Sequence, residues 1–254
     1  MAIPPARESA WVVAGRSATG GGHLRRSVGC DDHHLVVAHS KCVYLAVADG
    51  AGSAAHATVG AQGAVFCAID WLAANTLIPH EPHGLKQLER CFIAVHSRLK
   101  RIARAQSYEV NDLATTLLVA VVGPWGVLAG QIGDGALVIE TDESMEIVLQ
   151  DRKTGAVNKS AFVTDSNYRE TLRIIQRRKR IHGAVAVTDG VEGLTISRVG
   201  GVNEPFFRGV LHSVRDATPD DRTAVLERLL ESTAIRDSCD DDLTIAAAAL
   251  KGET

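Results

Sequence analysis

The sequence predicts an α+β fold with layered sheets, and two features of its pattern carry that prediction. Apolar strand-like segments open and close the chain, and two consecutive helix-like segments follow the opening strands. Separate runs of strands and helices favour stacked layers, whereas a parallel sheet needs strands and helices in alternation. Because no internal repeat or low-complexity linker divides the 254 residues, we expect one domain covering 1–254.

The first half of the chain contains the clearest elements. Three apolar runs predict early strands, at 10–15, 34–39 and 42–48. A helical pattern begins at Thr58, where Val65, Ile69 and Leu72 share one face. An amphipathic helix is predicted next, with apolar residues at steps of three and four: Leu85, Leu88, Phe92, Val95, Leu99 and Ile102.

The second half begins with another series of strands. They are predicted at 114–122, 126–133, 135–140 and 145–150. The run 172–175 fits either a strand or a helix. A strand over 183–190 ends on Asp-Gly, a helix over 218–230 has Thr218 as its N-cap and Pro219 in its first turn, and 243–250 forms the last strand.

Composition argues against several classes of protein. A net charge of −3 with 22% charged residues gives no field that favours nucleic acid or a membrane surface. No signal peptide is recognisable, and Asp70 or the sequence GPWG interrupts the most apolar stretches, so no membrane span is expected. The odd number of cysteines, without CxxC spacing, favours reduced thiols in the cytoplasm.

Aspartates recur where the predicted strands begin or end. They are Asp31, Asp32, Asp49, Asp134, Asp189, Asp241 and Asp242. Strand ends hold side chains at fixed distances, and like charges brought together repel unless a cation lies between them. Oxygen ligands suit Mg²⁺ or Mn²⁺ rather than zinc. Each Asp-Gly pair is equally compatible with an ordinary turn, and periodicity leaves both interpretations open.

Seven short motifs follow one another along the chain. They are GGHLRRSVGCDDHH (21–34), VADGAGSA (47–54), ATTLLVAVV (114–122), GQIGDGALVI (130–139), VNKSAFVTD (157–165), VTDGVEGL (187–194) and DDLTIAAA (241–248). Each is weak alone, but their order and spacing resemble the metal-dependent protein phosphatases, the PPM or protein phosphatase 2C family, in its compact bacterial branch. The resemblance covers nearly the whole chain.

This resemblance implies a four-layer α-β-β-α sandwich with two central antiparallel sheets and metals at one edge. It also implies a set of site residues. Asp49 would bridge two Mn²⁺ or Mg²⁺ ions, Gly50 would bind one through its carbonyl, and Asp189 and Asp241 would complete the first ion's ligands. Asp31 would lie beside the second ion, Asp134 would help to hold a third, and Asp32 would orient the attacking water.

The activity that the resemblance implies is hydrolysis of phosphoserine and phosphothreonine in proteins by water activated between two metal ions. The implied partner is a phosphoprotein, the product of a bacterial serine/threonine kinase, and a monomer is expected. Two alternatives stay open: a phosphatase of a small phosphorylated metabolite, and a degenerate member that serves as a regulatory binding module.

Two positions depart from the family's pattern. Ala51 stands where eukaryotic members carry a histidine, so the leaving group would take its proton from water or from one of three nearby histidines: His33, His34 and His56. The arginine expected to contact phosphate is out of register. Arg25 and Arg26 are the candidates, with a solvated loop charge as the alternative reading of each.

The basic run RRKR (177–180) falls in the segment around 151–182, where the family carries a variable flap near the mouth of the active site. Such a run is usually a solvated face. The alternative hypothesis is that it docks an acidic or phosphorylated partner.

Overall fold

The computed structural model describes residues 10–39, 42–79, 81–150, 161–197, 201–236 and 238–251. The strands within these ranges are β1 (Trp11–Ala18), β2 (His33–His39), β3 (Cys42–Ala48), β4 (Leu117–Gly123), β5 (Gly126–Ile132), β6 (Ala136–Glu140), β7 (Met145–Gln150), β8 (Arg173–Arg177), β9 (Gly183–Val187) and β10 (Leu243–Leu250). The helices are α1 (Gly21–Arg25), α2 (Ala57–Asn75), α3 (Gly84–Gln106), α4 (Tyr168–Thr171), α5 (Asp189–Thr195), α6 (Glu204–Asp216), α7 (Arg222–Leu230) and α8 (Thr233–Arg236).

The described strands form two antiparallel sheets. Sheet A has the order β1-β10-β9-β6-β7, and sheet B has the order β2-β3-β4-β5-β8. Neighbours in both sheets pair antiparallel, for example β3 with β4 and β9 with β10. Antiparallel pairing places the end of one strand beside the beginning of the next. The residues that follow β3 and β5 therefore meet those that precede β4 at one end of sheet B.

Three apolar layers hold the two sheets and the helices together. Helices α2 and α3 pack on sheet B, and α6 and α7 pack on sheet A. The third layer lies between the sheets and includes Leu45, Leu118 and Ala246. Strands buried on both faces explain why β3, β4 and β9 read as continuous apolar runs. The predicted four-layer α-β-β-α sandwich is confirmed.

Helix α2 differs from α3 in its pattern. Helix α3 is amphipathic, as predicted, although Leu85 is 41% exposed and does not join the core. Helix α2 carries apolar residues on both faces, and by length and composition alone it is long and apolar enough to cross a membrane. In the structure 44% of that window is buried, and the helix packs against α3, β2 and β3 as a core helix does.

Several predicted elements differ in type or boundary. The ambiguous run 172–175 is strand, as part of β8. The helix predicted over 218–230 begins only at Arg222, because the Thr218 hydroxyl donates to the Asp221 side chain at 2.7 Å within a turn. The strand predicted over 183–190 ends at Val187, and Asp189 is the first residue of α5. The sequence patterns do not individually predict helices α1, α4, α5, α6 and α8.

The basic run 177–180 does not lie at the predicted mouth of the site. Arg177 is the last residue of β8 and pairs with Val127 at the start of β5, and the Ile181 amide donates to the Pro124 carbonyl. From Val127 to Ile132, strand β5 covers about 17 Å. The run therefore lies at the opposite end of sheet B, because Arg177 is paired with the first residues of β5 and Asp134 follows its last. The rest of the proposed flap, 151–160, lies outside the described residues.

Candidate metal and phosphate site

Three aspartates from distant parts of the sequence converge at one end of the sheets. Asp49 follows β3, Asp134 lies between β5 and β6, and Asp189 follows β9. One carboxylate oxygen from each lies within 4.8 Å of the other two. We name this end, with Asp49, Asp134 and Asp189 at its centre, the carboxylate edge. Both sheets contribute, since Asp49 follows a strand of sheet B and Asp189 a strand of sheet A.

The backbone of Asp49 is fixed by two threonines that precede β4. Its amide donates to Thr116 Oγ1 at 3.0 Å, and its carbonyl accepts from the Thr116 amide at 2.8 Å and from Thr115 Oγ1 at 2.9 Å. Because both backbone groups are satisfied, the main chain that carries the Asp49 carboxylate is held in place at the end of β3. The Thr-Thr pair of the third motif thus positions a residue that is remote in sequence.

Asp134 lies in a tight turn between two glycines with positive φ. Gly133 has φ of 88° and Gly135 has φ of 91°, conformations that side-chain-bearing residues rarely adopt. Gln131, the next-to-last residue of β5, stabilises this turn, since its Nε2 donates to the carbonyls of Asp134 and Gly135, both at 2.8 Å. Arg173 in turn donates to Gln131 Oε1 at 2.9 Å. Sequence analysis missed Gln131 and Arg173.

Asp32 lies beside this cluster and is almost completely buried. Its Oδ2 accepts from Thr188 Oγ1 at 2.7 Å, and that hydroxyl in turn accepts from the Thr244 amide. Burial raises the pKa of the Asp32 carboxyl to about 7, while the hydrogen bonds from Thr188 and Thr244 oppose that rise. The carboxyl is thus fixed next to Asp189, the residue that follows Thr188.

Asp242 is a buried anchor to which sequence analysis gave no role. Its Oδ1 accepts from the Gly20 amide at 2.7 Å, and its Oδ2 accepts from the Asp31 amide at 2.6 Å and pairs with His23 Nδ1 at 2.9 Å. One carboxylate therefore fixes three segments around the beginning of β10. An aspartate directly before a buried strand was the available signal for Asp242, whereas nothing in the sequence singled out His23.

The remaining predicted ligands lie around the cluster. Asp241 is exposed, and its negative charge raises the pKa of Asp49. Gly50 is buried, and a Cβ at that position would lie 2.8 Å from the Asp31 carbonyl, so the two backbones are in close contact. The Asp31 side chain accepts from Thr58 Oγ1 at 2.5 Å, at the beginning of α2.

Arg25 and Arg26 line a cavity of about 500 Å³ together with His23, Asp240 and Asp241. The Arg25 guanidinium donates to Asp240 Oδ1 at 2.7 Å, and this pair is exposed. Arg26 Nε donates to the Gly22 carbonyl at 3.2 Å. Both candidates are thus on the side of the site where Asp241 lies.

The three histidines considered as proton donors have other contacts. His34 Nδ1 lies 2.8 Å from Ser17 Oγ, and burial lowers the pKa of this imidazole to about 4. His56 stacks on Tyr108 with ring centroids 3.6 Å apart. His33 contacts Phe66, with ring centroids 5.5 Å apart. His34 is therefore neutral near pH 7 and directed into the structure.

The electrostatics of the carboxylate edge fit a hard divalent cation. Burial raises the pKa of Asp49 well above its ordinary value, and four further carboxylates raise it more: Asp32, Asp189, Asp241 and Asp134. Like charges held this close destabilise one another unless a cation neutralises them. Oxygen donors are the ligands that Mg²⁺ and Mn²⁺ prefer. The residues present therefore suit such ions.

Comparisons with known proteins identify the family of this chain. A family model described as "Protein phosphatase 2C" matches residues 19–231. The chain is 27% identical over 249 residues to "Serine/threonine-protein phosphatase 3" of Escherichia coli strain K12, an alignment covering 94% of this chain and 98% of that protein.

Solved structures support the fold. A serine/threonine phosphatase from Staphylococcus aureus aligns with a TM-score of 0.65 at 17% identity, covering 94% of this chain and 95% of that one. PppA of Pseudomonas aeruginosa aligns with a TM-score of 0.64 at 16% identity, covering 94% and 97%. The family match, the fold and the convergent aspartates lead to one conclusion: the chain belongs to the protein phosphatase 2C family, and thereby to the phosphatases.

Proposed function

We propose that this chain hydrolyses phosphoserine and phosphothreonine in proteins, using divalent metal ions held at the carboxylate edge. The observation that carries the proposal is the convergence of Asp49, Asp134 and Asp189 within 4.8 Å. The relative from E. coli, whose name describes a serine/threonine-protein phosphatase, supports the substrate class.

The chain's own residues would divide the work as follows. Asp49, Asp189 and Asp241 would hold the metal ions, with Gly50 contributing its carbonyl. Bound Mn²⁺ or Mg²⁺ would supply a water of lowered pKa and positive charge for the phosphate oxygens. Asp31 and Asp134 would contribute further carboxylates to the same edge.

Asp32 and the arginines would position the reactants. The Asp32 carboxyl, held by Thr188, would accept a hydrogen bond from the attacking water and so orient it. Arg25 or Arg26 would contact the phosphate from the cavity beside Asp241. The Arg25–Asp240 pair is exposed, so a dianionic phosphate competes with Asp240 for this guanidinium at little cost.

The test is turnover of p-nitrophenyl phosphate and of a phosphothreonine peptide, with and without Mn²⁺. We expect turnover that requires the metal, and a loss of roughly 100-fold or more in Asp49→Asn because an electrostatic element of the site is removed. The matched control is Asp220→Asn, which changes an exposed aspartate that is not among the proposed site residues. Its turnover should equal that of the wild type.

Each alternative has its own outcome in this assay. Absence of metal-stimulated turnover on any substrate would favour a regulatory binding module. Turnover of phosphorylated metabolites with no turnover of phosphopeptides would favour the metabolite phosphatase. Equal activity of Asp49→Asn and the wild type would contradict the assignment of the site.

A further inference from the structure

A groove of about 600 Å³ lies on the outer helical layer, between α2 and α3. We name it the α2–α3 groove. Its apolar lining includes Val59, Phe66 and Trp71 from α2 and Ile102 from α3. Phe66 is 43% exposed and Val59 is 38% exposed. Large apolar side chains exposed together in a concave surface are typical of binding sites rather than of an ordinary solvated face.

The groove also carries charge. Arg98 and Arg101 line it from α3, and Asp70 lines it from α2, so these groups give it a net positive charge. Both arginines are exposed, and neither forms an ion pair with another residue of the described ranges. Lys179 and Arg208, by contrast, have carboxylate partners. An occupant with apolar and acidic side chains would complement this surface.

One end of the α2–α3 groove lies close to the acidic residues Asp31 and Asp32. Val59, in the groove, follows Thr58, whose hydroxyl donates to the Asp31 carboxylate. The Phe66 ring contacts His33, the residue after Asp32. From Thr58 to Phe66, α2 rises about 12 Å. An extended peptide covers that distance with about four residues.

We propose that the α2–α3 groove binds a segment of the phosphoprotein substrate in which an apolar side chain and carboxylates lie within about four to six residues of the phosphorylated residue. The apolar side chain packs against Phe66, and the carboxylates pair with Arg98 and Arg101. The inference rests on the proposed function, because it places the phosphorylated residue at the carboxylate edge. The concave shape favours a peptide, because ligand sites are concave, whereas a helix that binds a membrane buries a whole apolar face in the lipid.

The experiment compares two 14-residue phosphothreonine peptides. The first, the Leu-Glu peptide, carries Leu four residues from the phosphothreonine, followed by two Glu residues. It is made in two versions, one with this segment before the phosphothreonine and one with it after. The second peptide has Ser and Lys at those positions. The groove variants are Phe66→Glu and the pair Arg98→Glu with Arg101→Glu. The pair Lys86→Glu with Arg90→Glu, two exposed positions on α3 that do not line the groove, is the matched control.

We expect both groove variants to raise KM for the Leu-Glu peptide roughly tenfold, which corresponds to about 1.4 kcal/mol. The kcat values, the turnover of p-nitrophenyl phosphate and the behaviour of the control pair should stay unchanged. Equal KM values in the groove variants and the wild type, or equal KM values for the two peptides, would overturn the proposal. A parallel loss on p-nitrophenyl phosphate would do the same, since it would indicate a structural effect.

Binding of the dephosphorylated, fluorescein-labelled Leu-Glu peptide separates this inference from the proposed function. Binding without metal that is weakened in the groove variants supports the groove even if no substrate is hydrolysed. Two results would assign the groove to another occupant and overturn the proposal. One is cosedimentation with vesicles of phosphatidylcholine and phosphatidylglycerol that is lost in Phe66→Glu; the other is a wild-type dimer that this variant dissociates.

Discussion

The two ends of sheet B carry charges of opposite sign in different settings. At the carboxylate edge, Asp49 and Asp134 are half-buried or buried and lie close to each other. At the opposite end, which we name the basic end, Arg177, Arg178 and Arg180 are exposed around Trp125 at the β4–β5 hairpin. The Arg180 guanidinium lies 5.9 Å from the centre of the Trp125 ring.

This difference in burial helps to separate functional charges from charges that are merely solvated. Exposed arginines keep their hydration, so their mutual repulsion is screened and costs little. Buried carboxylates lose hydration and repel one another, which costs free energy unless hydrogen bonds or a bound cation compensate. A cluster of charge is therefore informative about function when it is buried and converges, and much less so when it is consecutive and exposed.

The largest expected effect is the stabilisation of the carboxylate edge by a cation. Mn²⁺ at 100 times its dissociation constant should raise the free energy of unfolding of the wild type by about 2.7 kcal/mol. Asp49→Asn should unfold at higher denaturant than the wild type without metal, because one repelling charge is gone, and should gain less from Mn²⁺. Urea unfolding with and without Mn²⁺ measures both, with Asp220→Asn as control. An equal Mn²⁺ effect in Asp49→Asn would contradict this account of the edge.

A second prediction compares two glutamines at opposite ends of sheet B, the buried Gln131 and the partly exposed Gln176. Gln131→Leu leaves the carbonyls of Asp134 and Gly135 without their buried donor, which should cost about 1–3 kcal/mol. Gln176 donates to the carbonyls of Pro79 and Glu81 at a more exposed position, so water replaces it in Gln176→Leu. That variant should lose about 0.5 kcal/mol or less. Equal losses in the free energy of unfolding, measured with urea, would contradict the prediction that the buried hydrogen bonds of Gln131 contribute more than those of Gln176.

The smallest effect is expected at the basic end. Reversing charge in Arg177→Glu with Arg178→Glu should change the free energy of unfolding by less than about 0.5 kcal/mol. Activity on a phosphopeptide and on p-nitrophenyl phosphate should stay within about twofold of the wild type, because β5 separates these residues from Asp134 by about 17 Å. A selective loss on the phosphopeptide would restore the docking hypothesis that the sequence suggested for this run.

The residues that sequence reasoning found and missed differ in the kind of signal they leave. Asp49 and Asp189 were visible because each interrupts an apolar run at its end. The sequence does not single out Gln131, Arg173 or His23, since the hydrogen-bond partner of a polar side chain cannot be inferred from the residues around it. Their partners lie 3 to 219 positions away along the chain.

The boundaries show the same limit. The predicted bounds of strand β10 match the observed ones, because seven of the eight residues between Asp242 and Lys251 are apolar and the run is bounded by charged residues on both sides. The beginning of α7 was misplaced, because Thr218 and Pro219 satisfy the usual N-cap pattern and only the contact of Thr218 with Asp221 shows that the chain turns first. Local sequence patterns predict helix boundaries poorly where a side chain can form hydrogen bonds that stabilise a turn instead of a helix.

The sequence by itself determined most of the strands, the long helices α2 and α3, the apolar faces that make them stack, and the aspartates at strand ends. These follow from local periodicity and from residue chemistry, which any segment carries with it. Only the tertiary structure decided that Asp49, Asp134 and Asp189 meet within 4.8 Å while Arg177 lies at the far end of the sheet. The physical reason is that strand order and register set distances between remote segments, and no short stretch of sequence contains that information.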